Sequence, residues 1–96
     1  MELELKTIQS YLKTQPVIKA WLFGSYARGE ASYKSDVDIL ITFDETVKIG
    51  MKYIEILRTL EKILDRPVDL VEECTLLPWI KPYVEKEKIL IYERNN

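Results

Sequence analysis

Leu5, Ile8 and Leu12 recur at helical spacing, so residues 2 to about 14 are predicted to form a first helix, closed by the Thr-Gln-Pro stretch at Pro16. Val17 to Phe23 is rich in β-branched and aromatic residues and reads as a first strand. Gly24-Ser25 breaks it, with Ser25 placed to N-cap a short helix over Tyr26 to Arg28 that Gly29 closes. After the polar connection 30–35, Asp36 to Phe43 reads as a second strand, with Val37, Ile39 and Ile41 on the face opposite Asp36 and Asp38. Asp44-Glu45-Thr46 offers a helix start, and Met51, Ile54, Leu57, Leu60 and Leu64 give one apolar stripe running to about Asp65. Pro67 opens a third strand, PVDLVE. Pro78 and Pro82 bracket a short helical stretch to Lys86, and Lys88 to Tyr92 reads as a last strand. Helix and strand alternate throughout, which predicts an α/β (α+β) domain: a mixed sheet of about four strands with helices packed on it.

Composition narrows the chemistry. The chain has 96 residues, read as one domain over 1–96, and a formal charge of −2, which argues against a nucleic-acid partner held by a basic surface. No apolar run reaches membrane-spanning length, and a single cysteine, Cys74, fits a reducing cytoplasm. There is no histidine. That excludes Ser-His-Asp and Cys-His mechanisms and makes zinc a poor candidate, leaving a hard cation held by oxygen, in the manner of Mg²⁺.

A strand running into Gly24-Ser25 and then a short helix leaves backbone N–H groups and a serine hydroxyl facing outward, a setting that binds phosphate. A plain capped turn has the same sequence. Asp36 and Asp38 open the next strand at i and i+2, so their carboxylates share a face and repel unless water or a cation meets them. Asp69 alternates with Val68 and Leu70 in an otherwise apolar strand. Buried alone it would be costly; beside Asp36 and Asp38 it would complete a carboxylate cluster around one or two cations.

Gly24-Ser25, ten intervening residues and then Asp36-x-Asp38 resembles the signature of the polymerase-beta-type nucleotidyltransferase superfamily. The run GSYARGEASYKSDVDILITF is similar to its minimal nucleotidyltransferase branch, and the resemblance extends from about Val17 to Tyr92. It implies that Gly24 and Ser25 hold the terminal phosphates of ATP. Asp36 and Asp38 would ligate Mg²⁺, and Asp69 would bind the catalytic metal and help deprotonate the acceptor hydroxyl. Arg28 could reach a phosphate or lie exposed at the helix end.

Family members of this size commonly act with a small HEPN-type protein. The resemblance therefore implies an antitoxin that attaches AMP to a hydroxyl of a HEPN ribonuclease toxin. Without a second domain to hold the acceptor, the chain would take it from that partner, or build the cleft as a homodimer or hetero-oligomer. Two alternatives stay open: a non-catalytic antitoxin that neutralises by contact, and the nucleotide-binding subunit of a two-chain small-molecule transferase of the aminoglycoside type. Among the remaining residues, Glu85-Lys86-Glu87-Lys88 reads as surface charge and Lys48 and Lys52 as a solvated face. Tyr26 and Tyr33 read as half-buried loop aromatics, Trp21 and Trp79 as core or partner surface, and Cys74 as a small buried hydrophobe.

Overall fold

The computed structural model describes residues 4–95. Helix α1 (Leu5–Leu12) leads into strand β1 (Val17–Phe23), the one-turn helix α2 (Ser25–Arg28) and strand β2 (Val37–Phe43). Helix α3 (Lys52–Leu64), strand β3 (Val68–Glu72), helix α4 (Lys81–Glu87) and strand β4 (Ile89–Glu93) follow, with a 3₁₀ turn at Glu73–Thr75. The four strands form one sheet in the order β3-β2-β1-β4. β1 runs antiparallel to both β2 and β4, while β2 and β3 are parallel. A parallel pair needs a crossover, and α3 supplies it. The sheet is mixed and carries helices, as the α/β alternation predicts.

One face of the sheet makes the main core. Val17, Ala20 and Leu22 of β1, Val37, Ile39 and Ile41 of β2, and Val68 and Leu70 of β3 are buried there, together with Ile8 and Leu12 of α1 and Ile56, Leu60 and Leu64 of α3. The alternation along β2 therefore turns Asp38 to the other face. On that second face Leu40 is also buried, and the last helix, α4, buries Val84. The Lys88 ammonium lies 4.2 Å above the Trp21 ring.

Several boundaries shift for identifiable reasons. The predicted first helix begins before the described residues, and within them it spans only Leu5–Leu12. The Asp44-Glu45-Thr46 stretch is a turn rather than a helix start. The Asp44 carboxylate accepts the Thr46 N–H at 2.9 Å and its hydroxyl at 2.6 Å, a local closure that competes with helix. The buried stripe of α3 is Ile56, Leu60 and Leu64, with Tyr53, Leu57 and Ile63 packed beside it. Met51 and Ile54 are exposed, because Met51 precedes the helix and Ile54 sits about 120° round it from the buried centre. Pro82 falls inside the first turn of α4, where a missing N–H leaves nothing unpaired.

Candidate active site

The site is assembled where β1 ends beside the start of β2. Phe23, the last residue of β1, is the register partner of Asp38. The next residue, Gly24, adopts φ 71° and ψ −150°, a conformation that side-chain-bearing residues avoid. It also has no room for one: a Cβ there would stand 2.2 Å from Asp38 Oδ2 and 3.0 Å from Asp38 Cγ. The turn backbone thus lies against a carboxylate of the neighbouring strand. Gly24 occupies the N-cap position predicted for Ser25, and Ser25 is the first helical residue. No side-chain hydrogen bond caps α2, so the Ser25 hydroxyl is not committed to that task. The Arg28 N–H closes onto the Gly24 carbonyl at 3.1 Å, and Gly29 at φ 73° ends the helix.

β2 and β3 bring two of the three predicted carboxylates together. Asp38 and Asp69 are register partners in adjacent parallel strands, on the face away from Val37, Ile39, Val68 and Leu70. Asp36 stands one residue before β2 and is exposed, as is Asp69. The Asp38 carboxyl is pushed above the usual carboxylate range, first by burial, then by the charges of Asp69 and Asp36; Arg28 opposes this. Among the described residues no three acidic, histidine or cysteine side chains form a ready-made metal cage. The donor set nonetheless suits a hard divalent cation. It consists of carboxylate oxygens only, and the like-charge cost concentrated on Asp38 is what such a cation would relieve.

Arg28 is placed beside this cluster, but not free of it. Its Nε donates to Glu30 Oε1 at 2.7 Å, and its Nη1 donates to both carboxylate oxygens of Glu87 at 3.2 and 3.3 Å. Glu87 Oε1 also accepts the Gly24 N–H at 3.2 Å. The reading of residues 85–88 as plain surface charge is therefore corrected. Glu87 and Lys88 both turn inward, with side chains 28% and 15% exposed against 55% for Glu85. One signal in the sequence could have marked Glu87: an acid in the last turn of a helix opposes the helix dipole, so it needs partners to sit there. On the core side, the Tyr53 hydroxyl donates to the Leu70 carbonyl, next to Asp69.

Other expectations are corrected too. Cys74 is exposed rather than buried, in the 3₁₀ turn that follows β3. Tyr33 is 75% exposed rather than half-buried, and Trp79 is 68% exposed, so of its two readings the core one is corrected. Tyr26 does pack half-buried against the core. Lys48 is exposed, and Lys52 pairs with Glu55 at 3.4 Å. No helix among the described residues is long and apolar enough to cross a membrane.

A strand, a glycine-serine turn and a one-turn helix set against paired aspartates on the next two strands define a nucleotidyltransferase class of fold. The chain belongs to the polymerase beta, nucleotidyltransferase family, whose model matches residues 6–96. It is 43% identical over 70 residues to protein adenylyltransferase MntA of Thermococcus cleftensis, a match covering 73% of this chain and 70% of that one. Two solved structures share the fold. One, a toxin–antitoxin with AMP-PNP, superposes with a TM-score of 0.76 at 24% identity, covering 97% of this chain and 76% of that chain. The other is tri-AMPylated Shewanella oneidensis HEPN toxin in complex with MNT antitoxin, with a TM-score of 0.60 at 19% identity, covering 93% and 72%.

Proposed function

We propose that this chain is a protein adenylyltransferase that transfers AMP from ATP to a hydroxyl of a HEPN-type toxin and thereby acts as its antitoxin. The observation that carries the reading is the Asp38–Asp69 register pair facing the Gly24 turn, with Asp36 adding its charge. The name of the T. cleftensis relative supports the reaction. The AMP-PNP and tri-AMPylated toxin complexes, each holding a chain that shares this fold, support the donor and the partner.

In this reading Gly24 lets the terminal phosphates approach the main chain, and the uncommitted Ser25 hydroxyl donates to a phosphate oxygen. Arg28 adds positive charge on the same side. Asp36, Asp38 and Asp69 would hold one or two Mg²⁺ ions, which when bound neutralise triphosphate charge and stabilise the leaving pyrophosphate. Asp69, exposed on β3, takes the proton of the acceptor hydroxyl. The acceptor oxygen bonds to the α-phosphorus as the bond from that phosphorus to the pyrophosphate oxygen breaks. The partner presents the hydroxyl, and positioning then supplies much of the rate. An added phosphate on a ribonuclease places charge and bulk where RNA must bind.

Intact-mass spectrometry of a HEPN partner mixed with ATP, Mg²⁺ and this chain tests the reading. Wild type is expected to leave the partner heavier by one or more AMP units, and Asp69→Asn to leave it unmodified. A partner that is inhibited yet unmodified by wild type would replace catalysis with neutralisation by contact.

A further inference from the structure

Resting on the nucleotide-binding reading above, we infer that Glu87 is a positioning residue that fixes the Gly24 turn and the Arg28 guanidinium for the nucleotide. Three observations converge on it. Glu87 is the last residue of α4, where the helix dipole disfavours a carboxylate, so its place there is held by what it contacts. It contacts two parts of the turn at once, taking the Gly24 N–H at 3.2 Å and Arg28 Nη1 at 3.2 Å. Gly24 in turn has no room for a Cβ beside Asp38. A displacement of the turn toward β2 by the width of a methyl group would therefore press on the aspartate that the nucleotide's metal needs.

Arg28 alone could swing through many rotamers, and an unheld guanidinium would lose entropy on every binding event. Glu30 takes its Nε and Glu87 takes its Nη1, so two carboxylates fix the plane of the group. Nη2 stays outside the bonds formed by the described residues. Glu87 thus ties α4 and the start of β4 to the strand-to-helix turn on which the proposed phosphate contacts depend. Its role is indirect, because the groups that touch the nucleotide are the turn and the arginine.

The substitutions Glu87→Gln and Glu87→Ala separate the two bonds. Glutamine keeps an acceptor for the Gly24 N–H and gives up the ionic hold on Arg28; alanine gives up both. Affinity for a non-hydrolysable ATP analogue with Mg²⁺, read by titration calorimetry, is expected to fall roughly tenfold in Glu87→Ala and roughly threefold in Glu87→Gln. In an Arg28→Ala background Glu87→Gln should have no further effect, whereas Glu87→Ala should still weaken binding. With a HEPN partner and ATP the loss should fall on KM rather than kcat, since the contacts serve bound substrate and transition state alike. A merely structural glutamate would lower Tm and the active fraction, hence kcat, without moving KM, and that result would overturn the proposal. So would unchanged affinity in both variants alongside a wild type that binds the analogue. A wild type that fails to bind it at all would instead overturn the nucleotide-binding reading beneath.

Discussion

Strand β2 serves two regions of opposite character. Val37, Ile39 and Ile41 are at most 1% exposed and sit in a core built from α1, α3 and the sheet. Asp38, between them in sequence, faces the other way onto Asp69 and the Gly24 turn, and its carboxyl is raised by burial and by like charge. The first face lowers the free energy of the folded chain. The second raises it, concentrating negative charge beside a turn that only glycine can make. A fold tolerates such repulsion and strain where a ligand relieves them.

Substitutions at two neighbouring residues should have the largest and most opposite effects. Ile39→Ala is expected to cost about 2–5 kcal/mol, a large part of the ~5–15 kcal/mol that holds a domain together. The fraction that stays folded should bind nucleotide normally. Asp38→Asn should do the reverse, abolishing Mg²⁺-dependent transfer while leaving the fold intact. A carboxyl whose folded pKa is raised favours folding below its unfolded pKa and loses that contribution as pH rises through the folded value. At neutral pH without divalent cations the wild type therefore carries a penalty that asparagine lacks. Asp38→Asn should raise Tm, by no more than about 4 °C after solvent screening. Thermal melts at neutral pH in a chelator, paired with transfer assays, check both signs.

Gly24→Ala lies between the two regions. Its Cβ would meet Asp38 Oδ2, and its φ of 71° would strain any side-chain-bearing residue. A stability loss of about 1–3 kcal/mol is expected together with loss of nucleotide binding, measurable by denaturant unfolding and calorimetry on one sample. Ser25→Ala should separate the two effects. One hydrogen bond to a charged phosphate contributes about 1.5–3 kcal/mol to binding, whereas the hydroxyl caps nothing and its loss should cost the fold about 0.5 kcal/mol or less. An unchanged affinity would make the turn structural only.

The smallest effect belongs to Asp44, at the far end of β2. Hydrogen bonds from Thr46, then the Arg94 guanidinium, lower its carboxyl to about 2. A depressed carboxyl stabilises the fold above its unfolded pKa of about 3.9, and that contribution is lost as pH falls toward 2. Acid melts of wild type should decline over this window more steeply than those of Asp44→Asn, which should be less stable at neutral pH.

Much of this organisation was legible in the sequence because it rests on local rules. The period-2 alternation of Val37, Ile39 and Ile41 against Asp38, and of Val68 and Leu70 against Asp69, sorted the two faces of the sheet. The Gly24-Ser25 break marked the turn. What depended on distant contacts was not legible. Nothing near Glu87 in sequence shows that the end of α4 reaches a turn 63 residues earlier. Met51 and Ile54 mimicked a core stripe because a helical period does not say which of two overlapping faces meets the sheet. The start of α3 was lost to the Asp44–Thr46 closure, whose Arg94 partner stands 50 residues away.

Whether the acid face of β2 and β3 holds metal and nucleotide is decided by a spin-active stand-in for Mg²⁺. Mn²⁺ is a hard cation with the same preference for carboxylate oxygen. Titrated into the chain with a non-hydrolysable ATP analogue and followed by electron paramagnetic resonance, it should bind to wild type. Binding to Asp38→Asn should fall back to that of the free nucleotide. Equal binding by the two proteins, with both folded, would rule that site out.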